Sequence, residues 1–380
     1  MSLSDPVIRT SSRRTVLANV GALAAGGIVA GRLAPSVAAQ EATPDGIGTP
    51  TLSGGVAVDP QMQEILDVLS ANDAPPIESV SPFIARNLPS AATATQQVLS
   101  LRGEPSIETV GDIDHILIPG PAGDIVARVY TPLQADDGPL PVVVYFHGGG
   151  FVIATLDKYD ASCRAVANAS GALVVSVAYR QAPEAPYPAA VDDSYAALQY
   201  IIANAGTING DPERVAVLGE SAGGNLAAVV SLLARDQGGS SPLHQVLVYP
   251  VATFAPAGDQ RQSIEQFSDA MPLNAAMLEW FGSYYLPDPS LASTDPYVSP
   301  AIADLTGLPP ATVILAEIDP LHDQGEIFAQ QLTDAGVETT VTTYKGVTHE
   351  FFGTGAVVDK AVMAVDEAAT ALRAAFGTGA

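Results

Sequence analysis

The 380-residue chain holds one cysteine, Cys163, so no disulfide can form within it and an apolar core has to carry the fold. Cys163 falls in a stretch with helical character, 159–169, where a buried and inert thiol is expected. Lysine is nearly as scarce. Lys158, Lys345 and Lys360 are the only three, and 16 basic residues face 41 acidic ones for a formal charge of −25. A surface of that sign repels phosphate backbones and argues against a nucleic-acid partner. The same balance is compatible with a saline habitat, although a GC-rich coding sequence would deplete lysine equally. Five histidines, at 115, 147, 244, 322 and 349, form no grouping with acids or the cysteine at metal-ligand spacing, so neither metal nor other cofactor is expected. There are no internal repeats and no appended binding module. What the chain has in quantity is apolar residue: 47% is enough for one large core and an extra lobe.

The first 39 residues read as a processing segment rather than as fold. Ser12-Arg13-Arg14-Thr15-Val16-Leu17 is a twin-arginine pattern, residues 16–30 are weakly apolar, and Ser36-Val37-Ala38-Ala39-Gln40 is a small-residue cleavage region. The alternative, an N-terminal membrane anchor, is disfavoured by the shortness and the Gly/Ala content of the run. No cysteine near the cut favours lipidation. Cleavage after Ala39 removes four arginines and one aspartate, leaving a mature chain at −28 and no stable membrane anchor. Export of a folded protein to the periplasm or the medium is the expectation.

Two glycine-flanked motifs carry the chemistry. His147-Gly148-Gly149-Gly150-Phe151 follows the apolar run 142–146, and Gly219-Glu220-Ser221-Ala222-Gly223-Gly224 follows the run 215–218. The second fits G-x-S-x-G, a sharp strand-to-helix turn that lifts a serine hydroxyl above a sheet, with small residues needed on either side. The first is the type of loop whose backbone N–H groups serve an acyl oxyanion, where a β-carbon would obstruct the approach. The N–H groups of Gly149, Gly150 and Ala222 are the expected donors, helped by the N-terminus of the helix that starts after Ser221. His147 is expected to hold the glycine loop by hydrogen bonding. Together the motifs imply acyl transfer, with ester hydrolysis first.

A serine hydroxyl needs a base, and in this architecture an acid and then a histidine follow the serine in the chain. His349 lies just past the alternating strand 338–344. Asp319 leaves the strand 312–317, whereas Asp323 is already helical. These two are the expected base and its orienting acid, and His322 is read as a solvent-facing residue of a first helical turn.

At this point the residues resemble a known family. Asp319-Pro320-Leu321-His322-Asp323, HGGGF, GESAGG, Gly346-Val347-Thr348-His349-Glu350-Phe351, and Tyr179-Arg180-Gln181-Ala182-Pro183-Glu184 with Tyr187-Pro188-Ala189-Ala190 match the hormone-sensitive-lipase-like (bacterial family IV) esterases of the α/β-hydrolase superfamily. The match runs from about residue 101 to the C-terminus, and Gln181 departs from the leucine usual there. The resemblance implies Ser221 as nucleophile, His349 as base, Asp319 as its orienter, and an oxyanion hole of the glycine loop and Ala222. It also favours short- to medium-chain esters over long triglycerides.

Several other residues have blander readings. His115 has no evident partner, and Asp192-Asp193 caps or pairs near Arg180. Glu220 either shapes the turn or bonds to a lid residue. Trp280, Phe281, Tyr284 and Tyr285 are lid core, with a lesser claim to the acyl channel.

Eight strand signals, at 113–119, 125–130, 142–147, 173–179, 215–219, 245–249, 312–317 and 338–344, alternate with helical stretches. They give an α/β-hydrolase fold: a mostly parallel eight-stranded sheet with helices on both faces, an antiparallel edge and a helical cap. The expected organisation is a signal peptide at 1–39, a linker at 40–58, N-terminal cap helices at 59–110, and a catalytic domain at 111–380 with a cap insertion at about 251–300. The expected partner is a small-molecule ester, and the sequence carries no signal for an oligomeric state. Amide, lactone or polyester hydrolysis on the same residues stays open. A non-catalytic binder on a hydrolase frame is disfavoured because His349 is present.

Overall fold

A computed structural model describes residues 52–135 and 137–379; the expected signal peptide and most of the linker lie outside them. A short antiparallel ladder, Leu52–Ser53 with Val56–Ala57, leads into helix α1 (Pro60–Ala71). Asp59 caps α1 by accepting from the N–H of Gln61, and Pro60 occupies the first turn, where its missing N–H costs nothing. Two more helices follow, α2 (Pro82–Ala85) and α3 (Ala91–Arg102).

The sheet then begins with β1 (Asp112–Gly120) and β2 (Gly123–Thr131), an antiparallel hairpin. After it come β3 (Leu140–Phe146), α4 (Asp160–Ser170), β4 (Leu173–Val177), α5 (Ala189–Asn204), β5 (Gly210–Glu220), α6 (Ala222–Asp236) and β6 (Gln245–Val248). Three helices occupy the segment between β6 and β7: α7 (Gln262–Gln266), α8 (Ala275–Tyr285) and α9 (Leu291–Thr294). The chain ends with β7 (Ala311–Ile318), α10 (His322–Asp334), β8 (Thr339–Thr348) and α11 (Asp359–Phe376). The strand order is β8-β7-β6-β5-β3-β4-β2-β1, and β2 alone among the eight strands runs against its neighbours.

The strands separate the core into two layers by their period of two. Val142, Val144 and Phe146 of β3 pack with Leu198 of α5, Leu226 of α6 and Phe328 of α10. Val143 and Tyr145 face the opposite way, toward Cys163 of α4 and Leu372 of α11. All seven residues of β3 are buried, which is why the central strands read as continuous apolar runs rather than alternating ones.

The N-terminal helices do not act as one lid. Met62 and Ile65 of α1 and Val98 and Leu99 of α3 join the second core layer, because their helical apolar stripes have only the flank of the sheet domain to cover. Ala85 of α2 instead joins a third cluster with Leu273, Met277, Trp280 and Phe281 of the insertion. The indole N–H of Trp280 donates to the carbonyl of Val80 at 3.2 Å and ties the two pieces together.

Candidate active site

Ser221 stands alone between the last residue of β5 and the first of α6, at φ 58° and ψ −117°. Such a backbone costs a non-glycine residue on the order of 1–3 kcal/mol and persists only where the surroundings impose it. The surroundings here are tight. A β-carbon on Gly219 would lie 1.9 Å from the carbonyl oxygen of Gly223, and one on Gly223 1.9 Å from that of Phe146. The Ser221 N–H donates to Val248 O at 2.9 Å, and Val251 N–H donates back to Ser221 O at 3.2 Å, pinning the turn to the end of β6.

The structure brings Ser221, His349 and Asp319 into one line. His349 Nε2 lies 2.9 Å from Ser221 Oγ, and its Nδ1 lies 2.7 Å from Asp319 Oδ2. Asp319 follows β7 and His349 follows β8, so residues 98 and 128 positions after the serine arrive at the same, carboxyl-terminal end of the sheet. Asp319 is fully buried, and its other oxygen accepts from the N–H of Leu321 at 2.8 Å. Burial disfavours the charged form of His349, but the charge and hydrogen bond of Asp319 outweigh it and raise the imidazole above its ordinary value.

The glycine loop leaves β3 beside this line. Gly149 and Gly150 take φ of 99° and 59°, conformations open to glycine at little cost. Gly150 has no room for a side chain either, since a β-carbon would meet the ring of Phe281 at 2.2 Å. Gly149, Gly150, Ser221 and His349 line one cleft of about 1280 Å³, walled also by Leu88 before α3 and by Met271, Leu278 and Phe281 of the insertion. Ala222 is fully buried at the start of α6 and does not line the cleft. Among the described residues, the N–H groups of Gly149, Gly150 and Ala222 donate to no partner.

His147 is buried and pushed down to about 4 by that burial, so it is neutral, and its Nδ1–H donates to Gly148 O at 2.7 Å. Its ring stacks on Tyr179 with centroids 4.4 Å apart, and the Tyr179 hydroxyl donates to His147 O at 2.7 Å. Gly148 gives way to another tyrosine: a β-carbon there would lie 2.3 Å from the Tyr159 hydroxyl.

The outside of the loop is held by Arg86, which the motifs did not single out, and by residues of the Tyr179–Glu184 motif to which the sequence assigns no role. Arg86 donates to Val152 O and Ala182 O, both at 2.9 Å, and makes a two-pronged pair with Glu184. Gln181, the departure from the family pattern, donates to Ile153 O at 2.7 Å. No local pattern points to Arg86, and Gln181 stands out only as a departure from the family pattern.

Four sequence expectations need correction. His322 is not solvent-facing: its Nδ1 lies 3.0 Å from Asp323 Oδ1 and its Nε2 3.2 Å from Thr343 Oγ1 of β8. His322, Asp323 and Glu326 bring ligand-type atoms within 4.8 Å of one another, a grouping the spacing did not suggest because helix geometry creates it. His115 has a partner, Arg128, whose Nε donates to it at 3.1 Å across the β1–β2 hairpin. Glu220 bonds to no lid residue; both its oxygens accept from sheet-end tyrosines, Tyr145 and Tyr249. Of the remaining candidates, Asp193 pairs with Arg180 at 2.6 Å, and Cys163 is buried with its thiol pushed up by that burial. Tyr285 stacks on Phe151 at 3.9 Å as core rather than channel.

A family profile described as alpha/beta hydrolase fold matches residues 143–353. The chain is 42% identical to a carboxylesterase of Mycobacterium tuberculosis, NlhH, over 67% of this chain and 79% of that one. It is 37% identical to the ethyl acetate hydrolase of Pseudomonas putida over 62% of this chain and 73% of that one. Among solved structures, a hyperthermophilic esterase from the archaeon Pyrobaculum calidifontis superposes with a TM-score of 0.74 at 37% identity, covering 83% of this chain and 98% of that one. With the eight-stranded sheet and the cleft at its carboxyl-terminal end, these similarities establish that the chain belongs to the hormone-sensitive-lipase-like branch of the α/β-hydrolase fold family and is a carboxylic ester hydrolase.

Proposed function

We propose that this esterase works through an acyl-enzyme on Ser221, is exported, and prefers esters of short to medium acyl chain. Ser221 Oγ attacks the ester carbonyl carbon while its proton passes to His349 Nε2. The carbonyl electron pair moves onto oxygen, where the N–H groups of Gly149, Gly150 and Ala222 receive it. Collapse of the tetrahedral adduct breaks the bond to the alcohol, which leaves with the proton from His349. Water then attacks the acyl-enzyme, His349 takes its proton, and the acid departs as Ser221 recovers its hydrogen. Asp319 fixes the imidazole with Nδ1–H toward itself and stabilises the imidazolium.

The observation that carries this mechanism is the unbroken line from Asp319 Oδ2 through His349 to Ser221 Oγ, with contacts of 2.7 and 2.9 Å, whose serine and histidine line the cleft. An organophosphonate should label Ser221 stoichiometrically, and Ser221→Ala should lose labelling and roughly 10⁶-fold of turnover without losing its fold. Retained turnover of a nitrophenyl ester by that variant would refute the assignment.

The acyl preference rests on the family resemblance and on the similarity to an ethyl acetate hydrolase, with α8 supplying part of the cleft wall. Rates on nitrophenyl esters from acetyl to palmitoyl should peak at short or medium length; a maximum at palmitoyl would overturn it. Export rests on Arg13-Arg14 and the segment after them. Replacing both arginines by lysine should leave active enzyme inside the producing bacterium, and undiminished export would count against the twin-arginine route.

A further inference from the structure

A carboxylate stands directly before the nucleophile in the chain, and the mechanism above does not use it. Glu220 is 1% exposed, and no lysine or arginine pairs with it among the described residues. Its Oε1 accepts from the Tyr145 hydroxyl of β3 and its Oε2 from the Tyr249 hydroxyl just beyond β6. Tyr249 is itself unusual, a non-glycine residue at φ 35°, and its ring centroid lies 4.5 Å from that of His349. One tyrosine thus touches the buried carboxylate with its hydroxyl and the imidazole with its ring.

We propose that Glu220 is a positioning residue for the esterase reaction. Its carboxylate, clamped by Tyr145 and Tyr249, sets the Tyr249 ring against His349 and adds a buried negative charge to those of Asp319 and Glu350 in stabilising the imidazolium formed when Ser221 attacks. Burial pushes the Glu220 carboxyl above its ordinary value, and the Tyr145 and Tyr249 hydroxyls oppose that shift by donating to the charged form. The hydroxyls of neutral tyrosines can do this without cancelling its field, whereas a lysine or arginine would pair with it and remove the effect on His349. The other titratable groups facing Glu220 are Tyr159 and Cys163 on the α4 side and Glu350 beside His349, none of them cationic, with the Ser162 hydroxyl close by. At His349 burial lowers the imidazole, Asp319 does most to raise it, and Glu350 and then Glu220 add to that rise.

The proposal rests on His349 being the base, and the test separates the two. The acidic limb of kcat/KM against pH is measured on a soluble nitrophenyl ester for the wild type, Glu220→Gln, Glu220→Asp and the double variant Tyr145→Phe/Tyr249→Phe, with melting curves for each. Glu220→Gln keeps the shape and removes the charge. Its limb should move to lower pH by about 0.5–1 unit, and its plateau kcat should fall roughly three- to tenfold, with KM unchanged. Glu220→Asp should return the limb toward the wild-type position. The double tyrosine variant leaves residue 220 intact but strips its donors, so its carboxyl should stay protonated and its limb should move as in Glu220→Gln. That variant carries the test if Glu220→Gln does not fold. A limb that stays in place in whichever of these variants folds overturns the role of Glu220 alone. A wild type with no acidic limb overturns the histidine base instead.

Discussion

Asp319 has one neighbour it cannot share. Its Oδ2 serves His349 Nδ1 and its Oδ1 accepts from Leu321 N–H, so the carboxylate is fixed in rotation as well as in position. Asp319→Asn can keep the shape, but an amide nitrogen facing Nδ1 would force the imidazole into the tautomer that cannot accept a proton from Ser221. We expect kcat to fall by about 10⁴ with KM little changed, as steady-state kinetics would read directly. A raised KM with kcat little changed would mean the residue acts on binding instead. The pH profile follows from the same pair. Because Asp319 raises His349, the protonated and inactive imidazolium persists above the usual histidine value of about 6.5. The acidic limb of kcat/KM should therefore have its midpoint above that value, with activity rising as the pH increases through it. A midpoint below 6 would contradict the net effect of Asp319. Gly223 sets a different kind of limit. With Phe146 O only 1.9 Å from the site of a β-carbon, Gly223→Ala must push the α6 N-terminus off β3. Overpacking against backbone should cost at least about 2–3 kcal/mol, read as a lowered melting temperature together with lost turnover.

At the level of elements, the site is a set of strand ends stitched to helices from distant parts of the chain. Arg86, at the end of α2, reaches two carbonyls behind the glycine loop and a carboxylate 98 residues away. Since Glu184 is mostly exposed, the ion pair itself contributes little, and the carbonyl bonds are what anchor the loop. Arg86→Ala should lower turnover more than stability, by loosening Gly149 and Gly150. Arg86→Lys should not restore it, because an ammonium cannot reproduce the fork. Full activity of the lysine variant would show that charge alone suffices. This interaction also marks where the sequence stops being informative. The turn at Ser221 and the glycine loop are legible because the local backbone demands those residue types within a few positions of one another. The eight strands are legible because burial on both faces makes them continuous apolar runs. Contacts such as Arg86 with Glu184, Glu220 with Tyr145 and Tyr249, and His322 with Thr343 join residues whose meeting depends on the strand order and the placement of the insertion. No spacing rule encodes them. The same holds for the division of the N-terminal helices between core and cap, since the partner surface available to each depends on the tertiary fold.

For the molecule as a whole, the dominant unspent term is charge. With 41 acidic and 16 basic residues, the chain carries a formal −25, and removal of the expected signal segment makes it more negative. Several arginines are committed to ion pairs, such as Arg128 with Asp157 and Asp160 or Arg214 with Asp211, and the acidic residues outnumber all the basic ones by 25. Self-repulsion of this kind favours the expanded chain, and salt removes it. The Debye length shrinks from about 30 Å at 0.01 M to about 3 Å at 1 M, well below the spacing of distant surface charges. Melting temperature should therefore rise steeply between those salt concentrations. Sodium chloride and sodium sulfate separate screening from solute exclusion. At matched ionic strength the two should coincide at low concentration, where screening acts, and sulfate should pull ahead only at high concentration, where exclusion from the surface adds to it. Esterase turnover on an uncharged ester should change much less than stability, because the groups around Ser221 and His349 are buried and screened little by salt. A melting temperature indifferent to salt would mean that the acidic surface is already balanced by its own geometry.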